Sequence, residues 1–301
     1  MAVELPFGHL AVVACLLLVL AHPARQQWHA KPPEEVRCPT FAVSKDCACT
    51  AAEDGLDFNC NRATAADLRA LISASRFAIK TLTVADFAPN ATCLCDKLFS
   101  NGSVAELTLS RSGLTVIKEN VFDAPAVRLH SLTIHNAQLE TLPRAVGKVP
   151  SLRRLDVEGN LIAEIHAYTF FGPSKLSSIN LKDNRLDQLA ENAFLGLENN
   201  LRELNLMGNG FPTFPLSAVK ILKKLQSLNL AANRLANITS DSFTRLESLR
   251  FVDLSSNVFE HLARETFDAL PNLERVTLAG NRIASVDPGA LTASTTSRAS
   301  T

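Results

Sequence analysis

Residues 152–162 read LRRLDVEGNLI, and residues 176–186 repeat the pattern as LSSINLKDNRL. Their shared form, L-x-x-L-x-L-x-x-N-x-L with other apolar residues standing in for some leucines, returns from Leu201, Leu225, Leu249 and Leu273. Successive starts are 24 or 25 residues apart. One such match would be weak, but six in phase, with the Asn column filled at Asn160, Asn184, Asn209, Asn233, Asn257 and Asn281, are not chance. Two earlier copies carry Ser112 and Ala137 where Asn is expected: Val104, Leu107, Leu109, Leu114 and Leu129, Leu132, Ile134, Leu139. A degenerate ninth copy begins at Ile79, Leu82 and Val84. A period of this length marks a stacked-repeat architecture.

Each column has a local physical reason. Alternating apolar residues at the fourth and sixth places make a short strand with one face inward. The chain then turns, returns along the other side and re-enters one strand spacing further on, so each coil buries its leucines only against its neighbours. An inward Asn amide offers two donors and an acceptor to backbone groups that the turn buries. A second column supports the register: Phe122, Phe170, Phe194, Phe243 and Phe267 fall at the nineteenth place of their repeats, with Gly147 and Val219 there in the two that lack Phe. The fixed phase predicts a stacked aromatic spine in the convex half of the core.

Over roughly residues 76–290 the chain resembles the extracellular leucine-rich-repeat family. The fold expected is an α/β leucine-rich-repeat solenoid. A curved parallel sheet of short strands forms the concave face, and loops and short helical turns form the convex one.

The first third carries the cysteines. Six follow the apolar N-terminal run: Cys38, Cys47, Cys49, Cys60, Cys93 and Cys95. An even number crowded together in a secreted chain reads as disulfides. The spacing from Cys38-Pro39 to Cys60 resembles the N-terminal cysteine cap of secreted family members. That resemblance implies the pairs Cys38–Cys49 and Cys47–Cys60. Zinc is the alternative, disfavoured by an oxidising compartment and by the lack of C-x2-C knuckles. Cys93 and Cys95 are left open between a strained bond to each other and pairing into the cap. No cysteine follows Cys95, so the family's cysteine-rich C-terminal cap is absent. Either the chain is truncated, or a homodimer or another partner covers that end.

The chain has 301 residues, 47% of them hydrophobic and 20% charged, with 30 basic residues balancing 30 acidic ones. A neutral chain has no overall field to draw it to nucleic acid or an anionic membrane, so neither partner is expected. Leu10 to Ala21 is an apolar run too short to span a bilayer and suited to a signal-peptide core, although the segment before it holds Glu4 and no Lys or Arg. A buried N-terminal helix is the alternative. The organisation expected is a signal peptide over 1–21, a linker over 22–36, a cysteine-rich cap over 37–75, repeats over 76–290 and a polar Ser/Thr-rich tail over 291–301. The mature protein is thus expected to be soluble and extracellular. Asn90, Asn101 and Asn237 head glycosylation triplets, at about the number chance would supply.

The outward residues form columns across the concave face. The central one, Thr108, Thr133, Asp156, Asn180, Asn205, Asn229, Asp253 and Thr277, suits hydrogen-bonding recognition and equally suits a solvated sheet. Larger groups stand beside it. Arg154, Asp156, Glu158, Lys182, Met207, Phe251 and Asp253 are the candidate partner contacts, because Arg and exposed large apolar residues become interface hot spots. No catalytic triad, phosphate loop or metal cluster is evident, and no cofactor is expected. His130 and His135 are an odd number apart and face opposite sides of a strand, while His166 and His261 lie in turns of different repeats. The function expected is a non-enzymatic secreted module that binds a protein or glycan on its concave face. The alternative is a non-catalytic stabilising subunit of a secreted enzyme complex. The cysteine cap, the missing C-terminal cap and the run NGFPTFP at residues 209–215 resemble arthropod secreted proteins related to the non-catalytic subunit of a decapod luciferase. That resemblance implies no luciferase activity, because in that pair the partner does the chemistry.

Overall fold

A computed structural model of the chain describes residues 35–39, 46–87, 92–99, 103–123 and 128–291, with the backbone of 298–300. The signal segment, most of the C-terminal tail and the acceptors Asn90 and Asn101 lie outside the described residues. Twelve of the described strands form one sheet in sequence order, each pairing with the next. The hairpin Cys47–Ala52 and Gly55–Asn61 is antiparallel, and every later pair is parallel. The fold is therefore a parallel-sheet solenoid, started by one hairpin.

Alternation builds each coil. In Arg154–Asp156, Leu155 is buried between outward neighbours, and Val157 turns inward directly after it. The return leg brings in Ile162, Ile165 and Phe170, all buried. Helix is sparse. Ala65–Ala74 is the long one, opened by Thr64, whose hydroxyl accepts from the Asp67 amide while the Asp67 carboxylate accepts from the Thr64 amide. This reciprocal cap satisfies two donors that a helix start otherwise leaves open. Its apolar face buries Leu68, Leu71 and Ile72. Elsewhere the convex side has single turns at Arg144–Lys148, Leu216–Val219 and Ser240–Phe243, and short pairs such as His261–Leu262 with Ser285–Val286.

The aromatic spine is broken rather than continuous, and Phe122 at its start pairs with Phe99, 6.1 Å away. Phe170 lies 5.9 Å from Phe194, and Phe243 lies 5.5 Å from Phe267. Gly147 and Val219 interrupt the column, and Phe214 supplies a ring from outside it, 5.0 Å from Phe243. Gly147 is small because the next coil presses on it: a Cβ there would stand 2.9 Å from the Thr169 carbonyl oxygen.

The Asn side chains tie coil to coil. Asn184 Nδ2 donates to the carbonyls of Leu181 and Lys182 in its own coil and of Val157 in the coil before. Its Oδ1 accepts from the Ile162 amide at 3.1 Å. Asn160, Asn209, Asn233 and Asn257 repeat this arrangement, and Asn281 bonds Leu254, Leu278 and the Phe259 amide. Asn209 and Asn281 are only partly buried.

One further column recurs in conformation and not in residue type. Arg62, Asp86, Arg111, Asn136, Gly159, Asp183, Gly208, Ala232, Ser256 and Gly280 all have positive φ, between 49° and 72°. They occupy the same place in ten successive coils, the residue after each strand's last outward side chain. Each coil makes the same left-handed turn, whatever residue stands there. The column reaches Arg62, so the hairpin strand Gly55–Asn61 already follows the repeat's geometry.

Cys38 is joined to Cys49, Cys47 to Cys60 and Cys93 to Cys95. The first two bonds pin the hairpin that covers the start of the core.

Candidate functional site

The sheet register sets three outward columns. The first runs Glu106, Ser131, Arg154, Ser178, Glu203, Ser227, Phe251 and Arg275. The second is the small polar column described above. The third carries His135, Glu158, Lys182, Met207 and Ala231, aligned by the amides of Asn136, Gly159, Asp183 and Gly208, each bonding the third-column carbonyl of the next coil.

In its central stretch the second column is occupied with its own backbone. Asp156, Asn180, Asn205, Asn229 and Asp253 each accept, at Oδ1, the amide two residues on. Distances run from 2.9 to 3.2 Å. Asn and Asp recur here because a short side chain with a carbonyl or carboxylate oxygen can brace the strand's exit in this way. One oxygen of Asp156 and one of Asp253 thus serve the fold first, which narrows what either offers a partner.

Across the second and third columns lies a polar network. Lys182 Nζ donates to Glu158 Oε1 at 2.7 Å and lies 3.4 Å from Asp183 Oδ2. Asn180 Nδ2 donates to Asp156 Oδ1 at 3.0 Å and to Glu158 Oε2 at 3.1 Å. His135 Nε2 stands 2.9 Å from Asp156 Oδ1. The hydrogen bond from Lys182 holds the Glu158 carboxyl below its ordinary pKa, and the same bond raises that of Lys182. Both groups are therefore charged at neutral pH.

Where the strands begin, Arg153, Arg154, Arg202, His130, Glu106 and Glu203 line a shallow cavity of about 310 Å³. Three guanidinium groups meet two carboxylates there, and Glu203 already accepts from the Ser178 hydroxyl at 2.9 Å. This edge is locally basic in a neutral chain. Phe251 stands alone, 39% exposed, with the Arg250 guanidinium 5.8 Å from its ring centre. Arg250 is held by Glu274 at 2.6 Å.

The seven candidate contacts therefore fall into groups. Asp156, Glu158 and Lys182 share the polar network, and Arg154 belongs to the basic edge beside them. Met207 is half-buried next to Lys182 in its column. Phe251 and Asp253 lie on a strand four places beyond Arg154, on the order of 19 Å away at the usual strand spacing. His135 and Asn180, absent from the candidate set, complete the network. Their signal was present, since His135, Glu158 and Lys182 are one repeat apart in turn. It emerges only when the sequence is read across strands rather than along one.

The other histidines are dispersed: His166 lies 3.5 Å from Glu164, and His261 contacts Ser285 at 2.8 Å on a different coil. Asn237 is exposed in a turn before Ser240–Phe243. Among the described residues no helix is long and apolar enough to cross a membrane.

A model of the leucine rich repeat family matches residues 150–211 and 222–291. Over those two stretches the chain is similar to the leucine-rich-repeat family. Chaoptin of Drosophila melanogaster is 30% identical over 130 residues, 42% of this chain and 10% of that protein. The leucine-rich repeat-containing G-protein coupled receptor 5 of Rattus norvegicus is 31% identical over 119 residues, 39% of this chain and 13% of the receptor. The chain thus matches only a small part of either relative. Among solved structures, Toll in its complex with Spatzle from Drosophila superposes with a TM-score of 0.56 at 20% identity, over 63% of this chain and 25% of that one. TLR13 in complex with ssRNA13 does so at 0.52 and 20%, over 74% and 43%. At that identity the likeness is one of fold.

Proposed function

We propose that this protein is a secreted, non-enzymatic binding module that takes a protein partner on its concave face. The observation that carries the reading is the company on one stretch of sheet: an exposed Phe251 beside Arg250, and the basic edge of Arg153, Arg154 and Arg202. Aromatic and arginine side chains are those on which interfaces concentrate their energy. The solenoid supports them on rigid strands, so little ordering cost opposes binding. Toll, which shares the fold, is seen with Spatzle. The apolar run Leu10–Ala21 and the three disulfides fit passage through an oxidising compartment.

The test is expression of the full chain in secretory cells. The protein is expected in the medium, and size-exclusion chromatography with mass spectrometry identifies what elutes with it. The double variant Phe251→Ser with Arg154→Glu should lose that partner while its thermal midpoint stays unchanged. Retention of the partner by the folded variant overturns the concave-face assignment. Loss of the complex on nuclease treatment favours a nucleic-acid ligand instead, TLR13 being seen with ssRNA13. One protein held at fixed stoichiometry through every step favours the stabilising-subunit reading.

A further inference from the structure

The polar network on the concave face holds one grouping that goes beyond the bracing of the strand exit, in which Asp156 Oδ1 accepts the Glu158 amide. His135 ends the strand Ser131–His135, Asp156 ends Arg154–Asp156 one coil later, and Glu158 follows two residues on. One ring nitrogen and one carboxylate oxygen from each acid lie within 4.8 Å of one another. His135 Nε2 is enclosed by protein and makes no hydrogen bond, although Asp156 Oδ1 is only 2.9 Å away. The two atoms are near enough to bond but are not aligned for it. An ion pair alone would leave the imidazole free to turn its N–H onto the oxygen. Two ligand-type atoms at that distance are spaced like neighbouring ligands of a single cation. With metal–ligand bonds of about 2.0–2.2 Å, ligands at right angles stand about 3 Å apart.

The surroundings suit ligands. Asn180 Nδ2 donates to both carboxylates, at 3.0 and 3.1 Å, and so sets their orientation. Neighbours of this kind fix ligand geometry in metal sites. Lys182 engages Glu158 Oε1, and Oε2 is the oxygen on the Asn180 side. Two carboxylates facing one ammonium leave a net negative charge to meet a cation.

We propose that His135, Asp156 and Glu158 bind a divalent transition-metal ion. An imidazole with two carboxylates suits zinc or manganese, whereas calcium and magnesium take oxygen ligands. All three side chains are only partly buried, so water completes the coordination. The site comes from three outward positions on adjacent strands and needs no loop to close.

The experiment uses the full secreted chain, untagged and stripped with a chelator. Zn²⁺ is titrated by calorimetry, and Co²⁺ by its visible absorption. One equivalent of Zn²⁺ should bind, with Co²⁺ giving a d–d spectrum and a large excess of Ca²⁺ failing to compete. His135→Ala should abolish the spectrum and weaken Zn²⁺ at least about a hundredfold. Asn180→Ala, which keeps all three ligands, should weaken it by about tenfold. His261→Ala, on a distant coil, should change nothing. Circular dichroism confirms that each variant is folded. The proposal is overturned if the wild type takes up no stoichiometric Zn²⁺, or if folded His135→Ala binds it as well as the wild type.

Discussion

The coils before residue 136 and those after residue 153 share a core but solve the same hydrogen-bonding problem differently. The early strands are long, from Cys47–Ala52 through Ser131–His135, five to seven residues each. The later ones, from Arg154–Asp156 to Arg275–Thr277, have three. In the later coils two side-chain ladders take over: the inward Asn160–Asn281 series ties each coil to the one before, and the outward Asp156–Asp253 series braces each strand's exit. The early coils lack both, and Ser112, at the inward Asn place, is buried with a hydroxyl that bonds nothing. They are held instead by longer pairing and by disulfides. The left-handed column is common to both regions. Register is thus a backbone property of the whole solenoid, while the means of satisfying its buried polar groups changes part-way along.

That contrast can be broken at several points. The largest effect belongs to the covalent end: replacing Cys47 and Cys60 together by Ala should lower stability by about 3 kcal/mol, read from the thermal midpoint. Next, Asn184→Ala should cost about 1–2 kcal/mol by leaving the Ile162 amide without its partner and taking one of two amide donors from each of the Val157 and Leu181 carbonyls, which keep Asn160 and Asn209. A cost below about 0.5 kcal/mol would mean that water replaces the amide. In the shared column, Gly208→Ala should destabilise by about 1–2 kcal/mol, because φ is +67° and the added Cβ collides with the Asp183 carboxylate. Ala232→Gly, at φ +54°, should do the reverse and stabilise by about 0.5 kcal/mol. Opposite signs in chemical denaturation would establish that the turn, not the residue, is what repeats. The smallest effect is expected at Ser112→Ala, which removes an unpartnered hydroxyl and should leave the midpoint unchanged or slightly higher.

What could be read from the sequence was whatever recurs in type. Leucines, the inward asparagines and the phenylalanines keep one chemistry at one phase, and the cysteine spacing matched a known cap, so the solenoid and two of the disulfides were legible. The left-handed column was not, because Arg62, Asp86, Gly159 and Ala232 share no chemistry, only a conformation. The outward polar column was visible, but not the task the structure gives it from Asp156 to Asp253, where an oxygen of each residue accepts the amide two places on. The interrupted spine follows from Gly147 and Val219, but nothing in the period announced that Phe214 would reach Phe243. The grouping of His135 with Asp156 and Glu158 needed the pairing of neighbouring strands, which a search along single strands does not see.

The central claim is that each inward asparagine holds its own coil to the preceding one and no other. Hydrogen exchange, residue by residue, in wild type and Asn184→Ala tests it most directly. The Ile162 amide, which bonds Asn184, should lose its protection, while the Leu235 amide, which bonds Asn257, should keep it. Equal loss at both amides, or full protection of Ile162 in the variant, would contradict it.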